Sequence, residues 1–141
     1  MRTSIQILPG ILFIGWVECS KLPDRVACRK ITGEMVTVLT TVHPVDFFDD
    51  PECSCLSTKK NGGWSEKATL KFHSHGLIPY TQGIGFVVTS QNGSSYLIGS
   101  KEHPLPVIDV DMKHGSPDGD GGGFYYEITH TALRTMIPCI I

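Results

Sequence analysis

Two pairs of metal-type ligands sit mid-chain, Cys53-x-Cys55 and His73-x-His75. Zinc takes thiolate and imidazole ligands in tetrahedral sets, and the two pairs together would supply one. Residues two apart on an extended strand face the same side, so each pair can converge on one ion. The one-residue spacing is tighter than that of the usual structural zinc pair. His73 also falls on the polar side of its own segment, where a solvated imidazole is ordinary. Asp118-Gly-Asp120-Gly has the opening of a calcium loop, but the twelfth position counted from Asp118, where a bidentate Glu belongs, is Thr129. Asp109 and Asp111 pair two carboxylates on one strand face, as a glycosidase would need; outward acids on an alternating strand equally serve solubility or guard an edge.

Nucleophilic chemistry lacks its usual frame. There is no G-x-S-x-G elbow, and no cysteine carries a protease-type flank. Of the six histidines, His43 and His103 precede prolines and His114 opens a loop, so none is marked out as a base. Gly83-x-Gly85 leads into a strand rather than a helix N-terminus, the wrong setting for a phosphate loop. The residues therefore point away from an enzyme and from a bound organic cofactor.

The elements that would position these groups are strands. In 65–73, Ala68, Leu70 and Phe72 alternate with Lys67, Thr69, Lys71 and His73, the pattern of a half-exposed antiparallel strand. Val36, Val38 and Val42 share one face of 35–42. Gly85–Thr89 and Ser95–Ile98 flank Asn92-Gly93, which predicts a hairpin with a type I′ turn. Val107–Met112 and Phe124–His130 alternate again. Thr135–Ile141 reads as a last strand at a sheet edge, because Pro138 cannot donate to a ladder. The apolar run from Ile5 to Val17 is broken by Pro9, Gly10 and Gly15, and no small-residue cleavage site follows. It reads as two buried strands turning at Pro9-Gly10 rather than as a leader or membrane span. Two stretches, 47–63 and 114–123, read as long polar loops, and no segment reads as a helix.

The expected architecture is all-β: one domain over 1–141, an antiparallel β-sandwich or barrel with two long loops. At 141 residues the chain can bury one real core, and 40% hydrophobic against 18% charged residues is globular rather than disordered. A net charge of −2 without a basic stripe argues against sequence-specific nucleic-acid binding. Five cysteines (Cys19, Cys28, Cys53, Cys55 and Cys139) make no even disulfide framework and read as free thiols in a reducing compartment.

At the hairpin and beyond, the layout resembles a known group. Phe86-Val87-Val88-Thr89, Asn92-Gly93 and Tyr96-Leu97-Ile98-Gly99-Ser100 are followed by Pro104-Leu105-Pro106, a Gly/Asp loop, and Phe124-Tyr125-Tyr126-Glu127-Ile128. With the opening Ile7-Leu8-Pro9 through Cys19 and Lys21-Leu22-Pro23, this is similar to small β-rich virion proteins of the tail or head–tail junction, from phages and prophages of Bacteroidetes-type gut bacteria. The resemblance implies a structural virion component, tail-tube-like or a tail-completion or connector subunit. Such a subunit would assemble with itself into rings and bind neighbouring virion proteins. It would be made in the host cytoplasm and carried in the particle. The glycine-rich SPDGDGGG loop departs from that group. Asp109 and Asp111 would suit the wall of a DNA-conducting lumen, which must not hold phosphates. Two other readings stand beside it. One is a zinc-binding or small hydrolytic domain on Cys53, Cys55, His73 and His75. The other is a carbohydrate-binding or adhesion β-sandwich using Trp16, Trp64 or Tyr80 as stacking platforms.

Overall fold

The computed structural model describes the chain apart from residues 1, 8–9, 23–24, 26–32, 34, 39–40, 61–62, 77, 79–82, 102–104, 114–122, 133 and 141. The strands are β1 (Arg2–Ile7), β2 (Ile11–Glu18), β3 (Val36–Thr37), β4 (His43–Pro44), β5 (Phe47–Lys60), β6 (Gly63–Ser74), β7 (Ile84–Ser90), β8 (Ser95–Ile98), β9 (Val107–Lys113), β10 (Gly123–Ala132) and β11 (Ile137–Ile140). A 3-10 turn, Cys19–Lys21, is the only helical piece among the described residues. The all-β expectation holds: a curled antiparallel sheet, in order β1-β5-β6-β10-β9, faces a second sheet ordered β3-β11-β8-β7-β2-β4.

The main core lies between the sheets. The period-two pattern of β6 turns Ala68, Leu70 and Phe72 inward, and β10 adds Tyr126 and Ile128; Ile14, Phe86, Val88 and Ile98 answer from the second sheet. Phe72 stacks on Tyr126 with ring centroids 5.3 Å apart and meets Phe86 edge-on at 6.0 Å, which joins the two sheets. The buried Tyr126 hydroxyl accepts a hydrogen bond from the Ile78 amide at 2.8 Å. A second apolar cluster forms on the far side of the second sheet, where Val17, Val87, Leu97, Ile137 and Cys139 are covered by Cys19, Leu22, Val36 and Val38. That double burial explains why β7 reads as a continuous apolar run instead of an alternating one. The covering segment comes close to the strands: a Cβ on Gly15 would meet Val42 Cγ1 at 2.4 Å.

Several expectations are corrected. Residues 47–60 are not a loop but the long strand β5, paired along β6 from Phe47↔Ser74 to Lys60↔Gly63. Its loop-like Asp49-Asp50-Pro51 falls where the register shifts between Phe48 and Glu52, and a bulge is where a strand tolerates proline. The remaining polar residues are allowed because alternate positions of β5 face outward from the curled sheet. The other predicted loop, 114–123, lies outside the described residues apart from Gly123, which opens β10.

The Asn92-Gly93 hairpin is present, with a different turn. Ser90 N–H donates to the Ser94 carbonyl and Gly93 N–H to the Ser90 carbonyl, each at 3.0 Å, so the loop has three residues. Gly93 alone takes a left-handed φ, +87°, the geometry of a type I turn closed by a G1 bulge. Asn92 acts through its side chain, its Oδ1 accepting from Ser90 Oγ and from the Ser94 amide. The last strand is not an edge: β11 lies between β8 and the two-residue β3. β3 engages only Cys139 and Ile140, past the missing donor of Pro138. The predicted 35–42 strand shortens to Val36–Thr37, although Val36, Val38 and Val42 do share the second cluster. The N-terminal run forms two strands, but they enter different sheets, so Gly10 (φ +51°) marks a corner that crosses between them.

Candidate functional site

The four residues proposed as zinc ligands do not come together. Cys53 and Cys55 point inward from β5 and are 1% and 2% exposed, within the main core. His73 sits on the outer face of β6, and His75 lies just beyond that strand's end. The sheet therefore separates the thiols from the imidazoles. Among the described residues no group of three or more His, Cys, Asp or Glu side chains is placed to hold a metal. Burial pushes the Cys53 thiol up to about 12, with the neighbouring Cys55 adding to it; Cys139 is raised to about 12 and Cys19 to about 11 by the same desolvation. Such thiols are neutral and unreactive at physiological pH. Cys19, Cys53, Cys55 and Cys139 are all free and buried; Cys28 lies outside the described residues.

Cys55 belongs instead to a buried polar cluster at one end of the sandwich. Its centre is Glu66, only 4% exposed. Glu66 Oε1 accepts from the Thr135 amide at 2.8 Å, and Oε2 accepts from Trp64 Nε1 at 3.2 Å and Ser57 Oγ at 3.4 Å. Cys55 Sγ lies 3.3 Å from Thr135 Oγ1, and the Arg134 guanidinium sits 4.6 Å above the Trp64 ring. The cluster anchors residues 134–136, where the chain crosses from β10 to β11. Met136 there is fully buried with φ +47°, a left-handed conformation that needs such support. Sequence carried a signal for Glu66: it is in phase with Ala68, Leu70 and Phe72, so a carboxylate stood in the inward register. His130 gives the same signal on β10, in phase with Tyr126 and Ile128, and is 1% exposed opposite Ala68.

The outer face of the curled sheet carries the other concentration of functional groups. Phe48, His73, Tyr125 and Asp111 form one cross-strand row over β5, β6, β10 and β9. Phe48 stacks on His75 at 4.3 Å and lies 5.5 Å from His73, which is 4.9 Å from Tyr125. The next row reads Glu52, Lys71, Glu127, Asp109. Asp109 and Asp111 are exposed, on the face where alternation placed them. Phe48 was hidden from sequence reasoning because its segment read as a loop.

Two of the three expected glycan platforms are otherwise engaged. Trp16 stacks on His43 at 4.1 Å and packs on the main core, Trp64 serves the Glu66 cluster, and Tyr80 lies outside the described residues. The Asp118/Asp120 loop is also outside them. No helix among the described residues is long and apolar enough to cross a membrane. No protein-family profile, curated protein or solved structure matches the chain.

Proposed function

We propose that this chain is a structural assembly subunit, a tail-tube-like or tail-completion component of a tailed-phage virion that forms rings with copies of itself. The observation that carries the reading is the contrast between sheet edges. The second sheet ends in two-residue strands, β3 and β4, whereas the curled sheet ends in β1 (6 residues) and β9 (7 residues), each paired on one side only among the described residues. An unpaired edge of that length presents a row of free backbone donors and acceptors, which a neighbour can complete.

The strand directions favour one way of joining two copies. Five strands paired antiparallel throughout leave β1 and β9 running in the same direction. Joining β9 of one copy to β1 of the next is therefore a parallel, head-to-tail contact, the heterologous type that gives a ring when the rotation between copies closes. Joining β9 to β9 about a two-fold would be antiparallel and would stop at a dimer. In a ring built the first way, strands run along the axis and Asp109 and Asp111 give the exposed sheet face an acidic lining that repels phosphate.

Hydrogen exchange tests the edge assignment. On raising protein concentration, amides of β1 and β9 become protected while those of β3 and β4 do not change. Protection confined to β9 would replace the ring with a two-fold dimer. Placement in a particle is tested by mass spectrometry of gradient-purified virions, which should contain the chain at a ring multiple; its absence from particles would overturn that part.

A further inference from the structure

The curled sheet is electrically polarised along its strands. β5 carries Glu52 toward its start and Lys59 toward its end. β6 runs the other way, with Glu66 toward the lysine end and Lys71 at the acidic end, but Glu66 is buried and hydrogen-bonded, and β9 adds Asp109 and Asp111 to the acidic end. At the β5 start, the exposed Asp46, Glu52, Asp109 and Asp111 gather with Glu127, offset by Lys71, beside the aromatic row of Phe48, His73 and Tyr125. Toward the other end lie the exposed Lys59 and Lys67. Along β6 the His73 row lies six residues from Lys67 and nine from the Trp64 row that holds Lys59, about 20–30 Å, or two to three screening lengths at ordinary salt. Each pole therefore presents its own charge to a partner.

We infer that the acidic, aromatic end of the curled sheet docks the lysine-bearing end of a second copy, stacking subunits along the strand direction. This rests on the assembly reading and adds an axial contact to the lateral one between strand edges. The occupant is a second copy because the complementary pole is on the same sheet, at its opposite end, and both poles point along the axis of a ring built through β1 and β9. Lys59 or Lys67 of the docking copy meets carboxylates and the faces of Phe48 and Tyr125, where charge pairing and cation–π attraction add.

Charge swapping tests it, using the full chain and exposed positions that leave the core untouched. Asp46→Lys/Asp111→Lys reverses the acidic pole and Lys59→Glu/Lys67→Glu the basic one. Stack length and ring diameter are read separately, by negative-stain electron microscopy and light scattering. Either pair of substitutions should shorten stacks at least tenfold to single rings of unchanged diameter. All four together should restore the stacks, and mixing the two defective variants should do the same. Stacks that persist in both defective variants would overturn the axial contact and leave the rings standing. Salt-sensitive stacking of single subunits without rings would support the axial contact and overturn the lateral one. A wild-type chain that stays monomeric at every salt and concentration would overturn both.

Discussion

Glu66 shows how one side chain can decide a local conformation. It is the only buried carboxylate among the described residues, and its bonds to Thr135, Trp64 and Ser57 hold the corner where Met136 takes its left-handed φ. Replacing Glu66 by Ala leaves those donors without their acceptor in a largely buried site, and should cost about 3 kcal/mol in urea unfolding. Glu66→Gln keeps an acceptor and should cost less than half of that; equal losses would mean that the corner does not depend on the acceptor. The thiols make a second prediction at this scale. With Cys19 held at about 11 and Cys53 and Cys139 at about 12, folded and unfolded chains both keep these protons below the ordinary thiol value of 9.0. Above it the unfolded chain loses them first, so stability should fall as pH rises from 9.0 toward the folded values, by up to about 1.4 kcal/mol per thiol per pH unit. Denaturant midpoints on either side of pH 9.0, with a shallower fall in Cys53→Ala, check the sign. A flat profile would show that the thiols do not stay protonated in the fold.

Single elements show what the sequence made legible and what it hid. The inward registers of β6 and β10 were readable because one sheet face is wet, so every second residue had to be polar. β5 was not readable, since its bulge carries the same Asp-Asp-Pro signature as a turn and both of its inward core residues near the middle are cysteines. The Asn-Gly pair announced a hairpin, but only the geometry shows that Gly93 takes the left-handed position and Asn92 the side-chain role. Gly93→Ala should therefore cost about 1 kcal/mol, a purely conformational penalty since a Cβ there meets nothing within 4 Å. Gly85→Ala should cost several times more, because its Cβ would come within 2.8 Å of the Ile98 carbonyl oxygen. Thermal unfolding of the two variants distinguishes them. β2 offers a test of register: Ile11 pairs Ser90 and Phe13 pairs Thr89, so Leu12, 63% exposed, is the extra residue of a bulge. Deleting Leu12 leaves Ile11 and Ile14 both facing inward and should preserve the fold. Deleting Leu97 from the unbulged β8 flips its neighbours and should abolish it.

At the scale of the whole molecule, the candidate site was only partly visible beforehand. Sequence placed Asp109 and Asp111 outward and found the cysteine and histidine pairs, but not that a sheet stands between those pairs. Facing direction follows from alternation within a strand; which strands become neighbours depends on crossovers that no local pattern records. The same gap hid the edges: β1 and β9 are far apart in the chain, yet they end one sheet and run the same way. Joining of these edges into closed rings is what we propose for copies of the chain. Its most direct test is the mass of the purified protein by light scattering across a range of concentrations, followed by negative-stain microscopy of the same sample. A fixed multiple of the 15.5 kDa chain, seen as rings of one diameter, is the predicted result. A monodisperse 15.5 kDa species at every concentration would contradict it.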